Sequence, residues 1–213
     1  SNYVFIEDVT SDDLSAILEL NTPGLMVEST TVREYHTTYA AHILGSMGAM
    51  DAGDWAIYEK QGYSMDAQIG QSGFEEAFEE YLHGIDGQRY DAVSKDGTII
   101  EQRYVDGKEP IAGSNVETTI DIDIQKIAED ALADAMDSFT NPDRNTSKSG
   151  DGLDAQGAAV VVMKVKTGEI LACASYPTYN LATMQDDWDE LIKDDLHPFF
   201  NRAFGAAYAP GST

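Results

Sequence analysis

The run Gly157-Ala158-Ala159-Val160-Val161-Val162-Met163-Lys164-Val165, then Lys166-Thr167-Gly168, then Glu169-Ile170-Leu171-Ala172-Cys173-Ala174-Ser175-Tyr176, decides the fold. Two strand-sized apolar stretches flank a short polar tripeptide with a glycine, which predicts a hairpin over 158–165 and 169–176. Val160, Val161, Val162 and Met163 offer apolar side chains to both faces, so both faces of this strand are expected to be covered. Upstream, Asp121 or Asp123 caps a long helix whose Ile124, Ile127, Ala128, Ala131, Leu132, Ala135, Met136 and Phe139 share one face. Asn141-Pro142 stops that helix, and the polar stretch 143–156 reads as a mobile loop. An antiparallel sheet sandwiched between helix layers follows, in the α+β class.

The first half alternates helices with short extended pieces. Ser11-Asp12-Asp13 offers an N-cap and an acidic first turn for a helix carrying Leu14, Ile17 and Leu18. A second helix is predicted over Thr38 to Met47. Ser72-Gly73-Phe74-Glu75 reads as a capping box ahead of a stripe of Phe74, Phe78, Tyr81 and Leu82. From Gln88 the period changes to two: Arg89 to Ser94, an Asp96-Gly97 turn, and Thr98 to Val105 predict a hairpin. Val116 to Ile120 is expected to add a third strand. Turn residues cluster at Glu109-Pro110-Ile111-Ala112-Gly113, which places a domain boundary there and divides the chain into 1–113 and 114–213.

Composition narrows the function. The 213 residues carry a net charge of −25, which repels nucleic acid and anionic membrane surfaces, so no nucleic-acid partner is expected. No apolar run approaches the roughly 20 residues of a membrane-spanning helix. Ser1-Asn2 reads as a trimmed start or a cloning scar. The single cysteine, Cys173, excludes an internal disulfide and reads as a small buried hydrophobe. His36, His42, His83 and His197 lack zinc-ligand spacing, and Asp121-Ile122-Asp123 lacks the glycine and terminal glutamate of a calcium loop. No metal or cofactor is expected.

Short segments in a fixed order resemble the class B penicillin-binding proteins, the peptidoglycan D,D-transpeptidases. Arg33-Glu34-Tyr35-His36 and Ala41-His42-Ile43-Leu44-Gly45 resemble an Arg-x-Tyr-Pro…His-x-x-Gly stretch of the family's non-catalytic pedestal, with His36 in place of proline. Gly70-Gln71-Ser72-Gly73-Phe74-Glu75 and Leu82-His83-Gly84-Ile85-Asp86-Gly87 resemble its Gly-x-x-Gly-x-Glu…Leu-x-Gly-x-x-Gly motif. Val116 to Asp121, with Ile124-Gln125 and Ala128-Glu129, resembles the start of the transpeptidase domain. Thr167 to Ala172, Ser175-Tyr176-Pro177, Asn201-Arg202-Ala203 and Tyr208-Ala209-Pro210-Gly211-Ser212-Thr213 continue the order. The resemblance implies a pedestal followed by the first part of a penicillin-binding domain of the serine β-lactamase-like kind.

It also implies chemistry. Ser212 maps onto the family's nucleophile, which attacks the carbonyl of a D-Ala-D-Ala stem peptide and is acylated by β-lactams. A serine hydroxyl is a poor nucleophile until a neighbouring base takes its proton. A lysine three residues later on a helix lies one turn away on the same face. Only Thr213 follows Ser212, so that lysine is not in this polypeptide, and neither are the family's later Ser-x-Asn and Lys-Thr-Gly motifs. This chain by itself is therefore expected not to catalyse transpeptidation, and its second half is expected to expose apolar faces and an unpaired strand edge. Lys166-Thr167-Gly168 matches the last motif in letters only, since it precedes the serine and occupies a hairpin turn. The implied setting is the extracytoplasmic face of the cell membrane, with the anchor outside this chain. A second reading gives the pedestal a binding role, docking cell-wall synthesis partners such as a membrane glycan polymerase. A β-lactam sensor shares the serine chemistry, but the long pedestal-like half speaks against it.

Overall fold

The computed structural model describes residues 5–6, 9–20, 22, 25, 27, 33–95 and 99–207. The chain divides into two compact units, one of Ser1–Arg33 with Ile85–Ile111 and one of Glu34–Gly84 with Ala112–Thr213. The last of the three division points, after Ile111, falls within the Glu109–Gly113 turn cluster, but residues 34–84 join the later unit rather than the earlier one.

The first unit contains helix α1 (Ser11–Leu20) and hairpin strands β3 (Arg89–Val93) and β4 (Ile99–Tyr104). The cap of α1 is Thr10 rather than Ser11: the Thr10 hydroxyl accepts the Asp13 N–H at 3.2 Å while the Asp13 carboxylate accepts the Thr10 hydroxyl and amide. Leu14, Ile17 and Leu18 do keep helical spacing, but no residue of α1 is buried. The hairpin pairs Arg89 with Tyr104 and Tyr90 with Arg103, and Asp96-Gly97 lies outside the described residues. Ile85 and Ile111 exchange backbone hydrogen bonds below it. Among its described residues this unit has no buried apolar side chain.

In the second unit, the helix expected over 38–47 contracts to α2 (Ala41–Leu44), because Ala40 and Gly45 at its two ends both have positive φ and leave the helical conformation. Met47–Ala49 turns instead into strand β1, which pairs antiparallel with β2 (Gln68–Gly70). Helix α3 (Ala52–Tyr58) carries a capping box of Asp51 and Asp54. The helix expected after Ser72 is present as α4 (Gly73–Ala77) and α5 (Glu79–Leu82), interrupted at Phe78. Ser72 makes no cap bond there; its hydroxyl accepts the Ser46 N–H at 3.1 Å, tying the two motif segments together instead.

The layered part is built on α6 (Ile122–Thr140), capped by Asp121, and on the hairpin β5 (Ala158–Met163) and β6 (Ile170–Tyr176). Lys164 to Glu169 closes that hairpin as a tight turn with Gly168 at φ 79°, so Lys166-Thr167-Gly168 is a turn and nothing more. Val116 to Ile120 forms no strand. It is held beside β6 by the Thr119 hydroxyl on the Ile170 carbonyl at 2.7 Å and the Asp121 N–H on the Leu171 carbonyl at 2.9 Å.

The stripe on α6 is narrower than its sequence suggests. Ala128, Leu132 and Met136 are buried with Gln125, whereas Ile127 is 67% and Phe139 51% exposed. One face of the hairpin, Ala172 and Ala174 with Val160 and Val162, packs on α6. On the opposite face, Cys173 packs on Ala40 and Ile43, with Phe74, Ile120, Ile170 and Ala203 beside it. Cover on both faces therefore holds for β6. It fails for β5, whose residues alternate in burial, with Val161 and Met163 about half exposed.

Gln125 is the polar residue at the centre of this packing. Its side chain is fully buried, accepts the Cys173 N–H at 2.7 Å and donates to the Cys173 carbonyl at 2.9 Å. Replacing it with leucine leaves both groups unpaired in a dry site, at about 1–3 kcal/mol each. Gln125→Leu is expected to lower the urea midpoint by an amount equivalent to about 2–5 kcal/mol without changing the slope. An unchanged midpoint would show that the bridge contributes nothing.

Candidate active site

The two pedestal-like motifs meet backbone to backbone. A Cβ on Gly45 would lie 1.9 Å from the Ser72 carbonyl oxygen, and one on Gly73 2.6 Å from the Ile43 carbonyl oxygen. Both glycines have positive φ, so the His-x-x-Gly and Gly-x-Glu segments owe their glycines to this crossing. Glu79, a buried carboxylate beside it, accepts the Gly70 N–H at 2.7 Å and the Tyr63 hydroxyl at 3.2 Å, and its other neighbour is His83 at 3.3 Å. Burial, and then the charge of Glu79, push the Tyr63 phenol well above its ordinary range.

The same motif segment is fastened to α6 and to the chain that follows β6. Glu129 accepts the Ala40 N–H and the Gln125 amide, each at 2.7 Å. His42 donates from Nε2 to the Pro198 carbonyl at 2.6 Å and sits edge-on to Tyr179. The Arg202 side chain donates to the carbonyls of Leu196, His197 and Phe200. Its own amide donates at 3.0 Å to the Ser175 hydroxyl, which in turn donates to the Phe200 carbonyl at 3.3 Å. Asn201 caps α7 (Arg202–Gly205) by accepting the Ala203 N–H. The chain then runs toward Ser212, which lies outside the described residues.

An open cleft of about 880 Å³ adjoins these segments. Phe74 and Phe78, Cys173, and Tyr179, Phe199 and Phe204 supply its largely apolar wall. Burial pushes the Cys173 thiol up, so it stays protonated at neutral pH and is no nucleophile. Burial pulls the His42 imidazole below its ordinary value, and its Nε2 proton is committed to a carbonyl. The motif resemblance marked His42, Gln125 and Glu129 by position without giving their partners, and nothing in the sequence marked Glu79.

His42 has a consequence for stability. The folded state disfavours its protonation through burial first and the Arg202 charge second, outweighing the pull of the Pro198 carbonyl, while the unfolded chain titrates near 6.5. The unfolded state therefore binds the proton more readily: the contribution is complete above that value and is lost as pH falls below it. Comparing urea midpoints at pH 8 and pH 5, wild type is expected to lose more stability than His42→Gln, which retains a donor and cannot titrate. Equal losses would exclude His42 as the source.

Residues 1–118 match the family described as Penicillin-binding Protein dimerisation domain, and residues 158–213 match the Penicillin binding protein transpeptidase domain. The peptidoglycan D,D-transpeptidase MrdA of Acinetobacter baumannii is 28% identical over 197 residues, 90% of this chain but 26% of that protein. A solved structure described as the structural coordination of polymerization and crosslinking by a peptidoglycan synthase complex aligns with a TM-score of 0.65 at 29% identity, covering 79% of this chain and 29% of that one. A complex between penicillin-binding protein PBP2 and MreC from Helicobacter pylori aligns at 0.50 and 25% identity, covering 78% and 27%. The chain thus spans about a quarter of the length of these relatives, and with its α+β fold and ordered motifs it belongs to the class B penicillin-binding proteins.

Proposed function

We propose that this chain is the pedestal, residues 1–113, and the first part, residues 114–213, of a peptidoglycan D,D-transpeptidase that acts by acylation of Ser212. The observation that carries this reading is the transpeptidase match over 158–213, which includes β5, β6 and Ser212 and belongs to the unit that also holds residues 34–84. In the reaction a base accepts the Ser212 hydroxyl proton, the oxygen bonds to the carbonyl carbon of a D-Ala-D-Ala stem peptide, and the terminal D-alanine leaves with a proton. An acceptor amine then displaces the serine to give the cross-link. Backbone donors at the oxyanion are worth about 3–4 kcal/mol each in enzymes of this type. The base is the lysine of the Ser-x-x-Lys motif, supplied by sequence beyond Thr213. The site of action is the extracytoplasmic face of the cell membrane, and β-lactams are its inhibitors.

A second role is compatible with the first. The first unit keeps Tyr90, Val93 and Ile100 half or more exposed and buries no described apolar side chain, and a two-stranded hairpin is marginal by itself. We infer that this part of the pedestal docks a cell-wall synthesis partner, with a membrane glycan polymerase as the partner class.

Intact mass spectrometry with benzylpenicillin tests the first reading in a chain continued past Thr213 to the end of its transpeptidase domain. A one-drug mass gain absent from Ser212→Ala is expected. A folded protein that takes no adduct rules out Ser212 as the nucleophile. For the second role, Tyr90→Asp with Ile100→Asp is expected to abolish co-purification with the glycan polymerase and leave the penicillin adduct unchanged. Retained co-purification would remove the hairpin from the docking surface.

A further inference from the structure

Arg202 stands out as a cation committed to backbone. Its guanidinium reaches three carbonyls of one turn, those of Leu196, His197 and Phe200, and it lies 5.8 Å over the Phe200 ring. The remaining carbonyl on that turn's buried side, at Pro198, is taken by His42. Room for the side chain comes from Gly157 at the start of the β5 edge, where a Cβ would lie 2.2 Å from Arg202 Nε. The Ser175 hydroxyl on β6 joins the Arg202 amide to the Phe200 carbonyl, so the turn is clamped to the sheet as well. His197 has a left-handed backbone at φ 49°, a conformation that needs such support in a residue other than glycine. The Arg202 side chain therefore makes three of the hydrogen bonds that hold the 196–200 turn, beside those of His42 and Ser175.

We propose that Arg202 is a positioning residue for acylation: by holding the 196–200 turn against β6 it fixes 201–207, the stretch that delivers Ser212. The proposal rests on Ser212 being the nucleophile. Among the described residues, the guanidinium is engaged with backbone carbonyls. Its effect is on the orientation of the serine, and displacing a reacting group by about 1 Å can cost about 100-fold in rate. Lysine retains the charge but cannot reach three carbonyls from one planar fork.

The test is stopped-flow acylation by benzylpenicillin in the chain continued through its transpeptidase domain, resolving the binding constant, the acylation rate constant and the fraction acylated. Arg202→Lys is expected to slow acylation about 10- to 100-fold with binding changed less than about twofold and the reacting fraction intact. A purely structural role would reduce the reacting fraction and leave the rate constant of the folded molecules alone, and that result overturns the proposal. An Arg202→Lys rate equal to wild type overturns it too. Gly157→Ala displaces the guanidinium without removing it and is expected to slow acylation similarly. Should Arg202→Lys not fold, Gly157→Ala decides, and a wild-type rate there overturns the proposal. A folded wild-type chain that forms no adduct overturns the Ser212 assignment together with this one, whereas acylation that is normal in both wild type and variants removes only the role of Arg202.

Discussion

Gln125 holds the second unit together through two hydrogen bonds. The packing of α6 on β6 brings helix and sheet close enough to exclude water, so the peptide group of Cys173 must find its partners inside the protein. A glutamine is the right length and has a donor and an acceptor at one end. Its amide also donates to Glu129, and Glu129 accepts the Ala40 amide, so a polar chain, buried at Gln125 and half-buried at Glu129, runs from the sheet through the helix to the start of α2. Because a buried polar group without partners is costly, these bonds constrain which residue of α6 faces which residue of β6, a choice that apolar burial alone leaves loose.

From that anchor the remaining contacts follow in order. The motif lobe crosses itself at Gly45 and Gly73, where any side chain would collide with backbone. His42, projecting from the same short helix, binds the Pro198 carbonyl. The turn it binds is also held by Arg202 through the carbonyls of Leu196, His197 and Phe200. The pedestal-like motifs therefore make their contacts with the transpeptidase part: residues 34–84 fold in one unit with 112–213. A division of the molecule into a pedestal and an enzyme is a division of family modules, and the packing runs across it.

The exposed apolar residues fall into two groups with different physical origins. In the hairpin of β5 and β6, Val161 and Met163 on β5 stay about half exposed, although Cys173, the cross-strand partner of Val161 on β6, is buried against Ala40 and Ile43. In the first unit the exposure is general. Its described residues have secondary structure held by backbone bonds, by the Thr10 and Asp13 cap and by cross-strand pairing, without a core beneath.

The amino-acid sequence by itself determined the elements that local rules govern. The β5 and β6 hairpin was legible because a glycine turn separates two apolar runs, and α6 because an aspartate cap and an Asn-Pro stop bracket one period. The order of short motifs carried the family and the candidate nucleophile. The tertiary structure decided which of those local preferences survived. Ser72 gave its hydroxyl to Ser46 instead of its own helix, and Thr38 to Met47 yielded most of a helix to a strand pairing with residues 68–70. Ile127 and Phe139 stayed outside although the sequence pattern puts them on one face with the buried Ala128, Leu132 and Met136, because the sheet against α6 is only two strands wide among the described residues. The partners of Gln125, Glu79, His42 and Arg202 were not legible, since most of them are backbone groups of segments distant in sequence. A carbonyl or an amide has the same chemistry at every residue, so only the fold can say which one a side chain meets.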